Sequence, residues 1–242
     1  MLTYNSFSMP KLQNFFAYVT YSTTRNKIVN SIEQVGGEQI SMPVNFNGIY
    51  NVSGNFSFGL PVKKIQNANF NTTTRVDYGR NASLINNSTN FVNDFAVVEE
   101  FSLNYNYEEK LDIGINTSIT YNAISYTIQK AQNTSYFTHS YSIDATYTFP
   151  HDFILSTTAD YTMYKGRSGG FNQNYVIWNA SLSKQLFRNK RGELKLLVND
   201  ILNQNVNVSR NVLDNYIEDV QNTTLRRFAM LMFNYNLNQT RK

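Results

Sequence analysis

No cysteine occurs in these 242 residues. That excludes a disulfide-stapled scaffold and thiolate metal sites, and it leaves the compartment open. No apolar run approaches the ~18 residues that a membrane-crossing helix requires. Charge is scarce, at 16% of the chain with a net of +4, and the basic residues fall at turns and strand ends, most densely in RNKR (188–191) and LRR (225–227). A nucleic-acid surface needs a basic stripe interleaved with stacking aromatics, so no nucleic-acid partner is expected. The opening MLTYNSFSMPKLQ lacks the basic n-region and apolar h-region of a secretory signal. An exported protein would therefore carry this stretch as mature chain or as an internal segment of a longer parent.

Aromatics are plentiful instead, at 14% with 17 Tyr and 17 Phe, on a chain whose mean hydropathy is only −0.41. A disordered chain would lack them. They are deployed with period two. In LDIGINTSITYNA (111–123), Leu, Ile, Ile, Thr, Ile, Tyr and Ala take the odd positions, while Asp112, Gly114, Asn116, Ser118, Thr120 and Asn122 take the even ones. Successive strand side chains point to opposite faces, so such a strand is oily on one side and wet on the other.

The same pattern predicts about eleven strands, at 13–24, 27–31, 46–60, 68–79, 95–107, 111–125, 138–149, 153–164, 174–187, 193–203 and 225–238. Most exceed the ~5–6 residues usual in globular sheets and suit tilted strands crossing a bilayer. Their connections alternate: 25–26, 61–67, 108–110, 150–152 and 188–192 are short, whereas 32–45, 80–94, 126–137, 165–173 and 204–224 are long and polar. Short turns on one side and long loops on the other are the layout of an up-and-down outer-membrane barrel.

The fold class expected is thus all-β, an antiparallel up-and-down transmembrane β-barrel filling residues 1–242, its oily face on lipid and closed because hydrocarbon leaves no backbone group unpaired. Tyr105, Tyr107, Tyr121, Tyr147, Phe149 and Phe153 fit interfacial girdles. Glu99 and Asp200 have oily-side parity and are expected at the rim near long loops or on a bulge, while Lys184 should snorkel toward a short turn. An odd strand count beginning on the long-loop side conflicts with a complete bacterial barrel, which has an even number and both termini in the periplasm. A truncated parent is therefore expected; omitting 27–31 leaves ten strands and a small complete barrel.

The final third carries a resemblance. Residues 169–205, with WNAS and GELKL followed by ND and LNQN, and residues 209–237, with an Arg before NYIED and the strand LRRFAMLMFNYNL, resemble the C-terminal strands of the outer-membrane β-barrel family related to TonB-dependent receptors. The resemblance implies half of a 22-stranded barrel, cell outer-membrane localisation in a Gram-negative cell, and uptake of a nutrient. It also implies partners beyond this chain: the N-terminal barrel half, a plug domain, an inner-membrane energy-coupling protein engaged through that plug, and the surrounding lipid and lipopolysaccharide. The alternative is a self-contained small barrel acting as a passive pore or structural anchor.

Lumen-lining candidates on the wet face are Arg75, Asp77, Asp112, Asp144 and Asp160; outer-loop ligand candidates are Arg210, Asp214, Glu218 and Asp219. No enzyme, metal or cofactor is expected: His139 and His151 fall at opposite ends of one strand, and no Ser, Asp and His converge on one rim. The N-x-S/T triplets at 51–53, 55–57, 81–83 and 179–181 match glycosylation acceptors, yet alternating Asn and Ser on a wet strand face generates them unaided.

Overall fold

Alternation becomes strand almost wherever it runs. The computed structural model describes residues 1–108, 110–167, 171–212 and 217–237. It opens with β1 (Leu2–Ser8), β2 (Gln13–Thr24), β3 (Lys27–Val35), β4 (Glu38–Phe46) and β5 (Ile49–Pro61). The longest strands follow: β6 (Ala68–Ile85), β7 (Ser88–Tyr107), β8 (Leu111–Tyr126) and β9 (Thr134–Phe149). Then come β10 (Phe153–Lys165), β11 (Asn174–Leu186), β12 (Gly192–Asn199), β13 (Asn207–Val212), β14 (Ile217–Asn222) and β15 (Phe228–Tyr235). Asn238, the expected end of the last strand, lies outside the described residues, as do Asn215 and Tyr216 of NYIED.

Eleven of these strands form one antiparallel path, β1-β2-β5-β6-β7-β8-β9-β10-β11-β12-β15. The expected number is met with a different membership. Segment 27–31 is no wall strand but the start of β3, which pairs with β4 and runs parallel to β6 at Ser31 and Ile32 opposite Leu84 and Ile85. The wall strand that alternation missed is β1, where Phe7 shares a face with Thr3 and Asn5 and blurs the pattern. The expected loop 32–45 contains β4, reached through Gly36 and Gly37 at φ 58° and 91°, left-handed values that glycine adopts without strain. Loop 204–224 likewise contains the hairpin β13–β14.

The sheet also corrects the expectation of closure. β1 pairs with β2 alone and β15 with β12 alone, and no ladder joins the two edges among the described residues. At seven and eight residues these are the shortest strands of the path with β12.

Short turns at 9–12, 62–67, 108–110, 150–152 and 187–191 gather at one end, and the long connections at the other. One register runs across the wall: Phe56, Thr74, Glu99, Ile119 and His139 lie on one cross-strand row, and Leu103, Ile115, Ile143, Ala159 and Trp178 on another. All share the apolar face, and no second sheet covers it. Leu231, Phe233 and Ile143 expose 68%, 58% and 54% of their surface, so a sandwich core is excluded. On β8 and β9 the rows that carry Tyr147 and Phe137 are ten residues apart, Leu111 and Tyr147 at the short-turn end against Tyr121 and Phe137 at the other. At ~3.3 Å per residue and ~40° tilt this spans about 25 Å, the height of an outer-membrane apolar band.

Hydrophobic cores form only beyond that band, among the described residues. Val29, Ile49 and Ala82 are buried with Val44, Phe46, Leu84 and Phe91, where β3–β4 leans on the extensions of β6 and β7. Val92, Ile124, Tyr126 and Tyr136 are buried with Ile217 of β14.

Candidate functional site

The polar face is built by cross-strand neighbours that satisfy one another. Arg75 donates from both terminal nitrogens to Glu100 at 3.0 and 2.7 Å, a bidentate pair that remains exposed. Asp112 accepts from the Asn106 amide, and Asp144 accepts weakly from Asn116 at 3.4 Å. Gly114 makes room for Asp144: a Cβ there would meet its carboxylate at 2.5 Å. Gly59 does the same for Asn14 and Asn71. Asp77 faces Ser53 and Ala96 across the strands.

Small side chains hollow this face. Ser102, Asn116, Ser118, Ser140 and Ser142 floor a trough of about 540 Å³ with Glu100 and Asp160 on its flanks. Asp112 and Asp144 meet in a smaller recess of about 150 Å³ toward the short turns. Of the lumen candidates, then, Asp112 and Asp144 share one hollow, Asp160 lines another, and Arg75 reaches it through Glu100. Glu100 was not singled out from sequence, although its wet-face parity beside Glu99 marks it.

At the long-loop end the polar face turns apolar and is covered. Val92, Ile124, Tyr126 and Tyr136 have the parity of the wet face, and Ile217 packs on them from β14. The hairpin β13–β14 therefore folds inward over the strands. Arg210 and Asp219, opposite each other in that hairpin, form a bidentate pair at 2.7 and 2.6 Å with only 3% and 4% of their side chains exposed. Their charges are turned toward each other. Glu218 accepts from Asn211 at 3.3 Å and faces solvent, and Asp214 lies outside the described residues. Arg210 also sits over the ring of Tyr136, 4.8 Å from Cζ to centroid, and Arg167 lies 5.5 Å from the same ring and 3.9 Å over Tyr164. Arg167 and Tyr136 escaped the sequence reading because both fall where the expected strands had given way to loops.

The charged residues of apolar-face parity resolve individually. Lys184 snorkels as expected, donating to the His151 carbonyl over the Phe153 ring at 4.2 Å. Asp200 is not on a strand at all. β12 ends at Asn199, and Asp200 turns at φ 49° into the interior, accepting from the amides of Gln204 and Asn205 at 2.9 and 3.0 Å. The neighbouring Asn203, Gln204 and Asn205 bond to Arg227, Val176 and Leu225, so NDILNQN is a clamp that fixes the start of the longest loop. Glu99 corrects its expectation. β7 begins at Ser88, which leaves Glu99 in mid-strand between the aromatic rows, where it accepts from Thr72 at 2.7 Å and Thr74 at 2.6 Å.

At the short-turn end, Lys190 pairs with Asp152 at 2.7 Å and holds its exposed carboxyl below the usual carboxylate range. His139 stacks between Phe137 and Tyr141 on the apolar face, and His151 occupies a tight turn at φ 65°. The Asn residues of the N-x-S/T triplets sit in strands, Asn55 accepting from Ser57 and Asn179 from the Asp200 amide. Among the described residues no three of His, Cys, Asp and Glu gather as metal ligands. What this arrangement can do is pass or hold polar solutes along one face while the other meets hydrocarbon.

Residues 72–235 match the family model described as the outer membrane protein beta-barrel family. A comparison with curated proteins and one with solved structures give no match.

Proposed function

Because the chain belongs to the outer membrane protein beta-barrel family, we propose that it is the wall of an outer-membrane receptor that takes up a nutrient, in the manner of TonB-dependent receptors and without catalysing a reaction. One observation carries this reading over the alternative of a small passive pore or structural anchor: β13–β14 lies across the polar face at the mouth, fastened by Ile217 and the buried Arg210–Asp219 pair. An open pore needs an aqueous lumen running through, whereas a receptor engages its solute at a covered mouth. The trough flanked by Glu100 and Asp160 is then part of the solute path.

Both open edges support a larger ring. In hydrocarbon each unpaired backbone group costs several kcal/mol, so β1 and β15 require pairing partners, which further strands would supply. With eleven strands in the path, a second set of equal size would give 22. That reading needs the remaining barrel strands, a plug, and through it an inner-membrane energy-coupling protein as partners, with lipid and lipopolysaccharide around the Gram-negative outer-membrane barrel.

The experiment has two readouts. In cells, cysteines placed at Tyr4 and Leu231, both on the apolar face of the edge strands, should stay uncrosslinked under mild oxidant; a disulfide would mean that eleven strands close on themselves. Liposomes carrying the protein should not swell in arabinose, and rapid swelling would establish the passive pore instead.

A further inference from the structure

Two arginines lean on Tyr136 at the mouth, and they differ in one respect. Arg210 is met by Asp219. Arg167 takes part in no ion pair among the described residues, and its Nε and Nη1 are buried without a hydrogen-bond partner. Its backbone is fixed by the exchange of two hydrogen bonds with Asn172, at 2.8 and 3.2 Å. Tyr164 and Tyr136 hold the guanidinium through their ring faces, which offsets part of the cost of desolvating it. Rings do not satisfy N–H donors, and a desolvated charge without a counter-charge is expensive. An anion bound there would supply the counter-charge and the acceptors that the guanidinium lacks.

The surroundings narrow the anion. Arg167 and Arg210 border a cavity of about 440 Å³ with Ala131, Gln132, Asn133, Thr134, Gly166 and Ile217, within the range of small-molecule sites. Gln132 Oε1 is a second buried polar atom without a partner, and it is an acceptor. Arg210 being balanced by Asp219, the described residues of the lining offer one uncompensated positive charge beside one acceptor that calls for an O–H or N–H. A monoanion carrying its own donors fits this set, whereas a phosphate dianion brings a second charge that no described residue of the lining meets and that Asp219 repels.

We propose that the mouth is a binding site for a hydroxylated carboxylate of sugar-acid size, its carboxylate on Arg167 and a hydroxyl donated to Gln132 Oε1. The site names a solute class for the receptor reading and rests on that reading only for the step that follows binding.

The test titrates the full-length protein, extracted from outer membranes in detergent, with galacturonate, galactose and glucose 6-phosphate by calorimetry. Galacturonate should bind, with galactose at least about tenfold weaker, since a hydrogen bond to a charged group contributes ~1.5–3 kcal/mol. Arg167→Gln should remove the preference for galacturonate over galactose, and Arg167→Lys should keep part of it, which separates lost charge from lost folding. Equal binding of the two sugars, an unchanged preference in Arg167→Gln, or tighter binding of glucose 6-phosphate would each overturn the proposal. Binding as expected with no accumulation of galacturonate by energised cells would sink the receptor reading and leave this site standing.

Discussion

The two ends of β8 answer to different solvents. Toward the short turns its apolar residues are odd-numbered, Leu111, Ile113, Ile115, Ile119 and Tyr121; toward the loops they are even, Ile124 and Tyr126. β7 and β9 switch at the same height, Phe95 giving way to Val92 and Phe137 to Tyr136. Below the switch the oily side has no protein cover, as Ile143 and Leu231 show. Above it the opposite side is buried under β13–β14, with Ile124 only 2% exposed. A strand's apolar face is set by what covers it, and here the cover changes from lipid to protein within one continuous ladder. The switch places the outer boundary of the membrane near Phe95, Tyr121 and Phe137, diagonal or direct cross-strand neighbours whose rings approach one another at 6.4 and 4.8 Å.

Two bidentate ion pairs, Arg75 end-on through both Nη atoms and Arg210 side-on through Nε and Nη2, give the strongest way to break this comparison. Arg210–Asp219 is buried in the covered mouth, while Arg75–Glu100 keeps 45% and 36% side-chain exposure on the polar wall. Arg210→Ala should cost ~3–5 kcal/mol, because it strands a buried carboxylate. Arg75→Ala should cost at most about 1 kcal/mol. Urea unfolding in a bilayer, with hydrogen exchange at β13–β14 to localise the loss, separates the two. A replacement of the whole buried pair by Met and Leu should restore most of the loss; equal costs for the two single variants would mean that the hairpin does not shield the mouth.

A second comparison contrasts neighbours on one strand below the switch. Ile143 faces outward and Ser142 floors the trough. Arginine at Ile143 should destabilise by ~2–4 kcal/mol, as a charge in the hydrocarbon does, and arginine at Ser142 should do so far less. The measurement is the urea midpoint of each variant in the same lipid. Equal shifts would remove the distinction between the faces.

Below the switch the fold was legible, and above it much less so. Period two reported the wall strands β2, β5 to β12 and β15 because one side of each meets an apolar medium and the other a wet one. It failed at β1, where Phe7 sits on the wet side, and above the membrane, where β3–β4 and β13–β14 pack by small local cores that impose no long alternation. The hairpin signal of Gly36–Gly37 was present but lay inside a stretch rich in polar residues. The candidate carboxylates of the wall followed from parity alone, hence Asp112, Asp144 and Asp160 in the hollows. Arg167 did not, since its significance depends on Tyr136, Tyr164 and Arg210, which reach it from three other segments. The stretch NDILNQN carried part of the family resemblance and was expected to begin as strand; its role as a clamp emerged only from the partners that Val176, Leu225 and Arg227 supply.

The smallest effect concerns Glu99, the one carboxylate among the described residues that stands on the greasy side inside the band. Glu99 accepts from Thr72 and Thr74, and these hydroxyls offset part of what it costs to hold a carboxylate against lipid. Removing Glu99 alone by Leu strands both hydroxyls, so its gain and loss nearly cancel. Removing all three polar groups, as Glu99→Leu with Thr72→Val and Thr74→Val, leaves nothing unsatisfied and should raise stability by up to about 1 kcal/mol, since replacing both sides of a polar contact by apolar groups of similar shape is neutral or stabilising. The urea midpoint of the triple variant in lipid decides it. A higher midpoint fits hydrocarbon beside this row of the wall. A lower one would mean that protein rather than lipid lies against Glu99, and the boundary between the two environments would have to be redrawn to exclude this patch of β6 and β7.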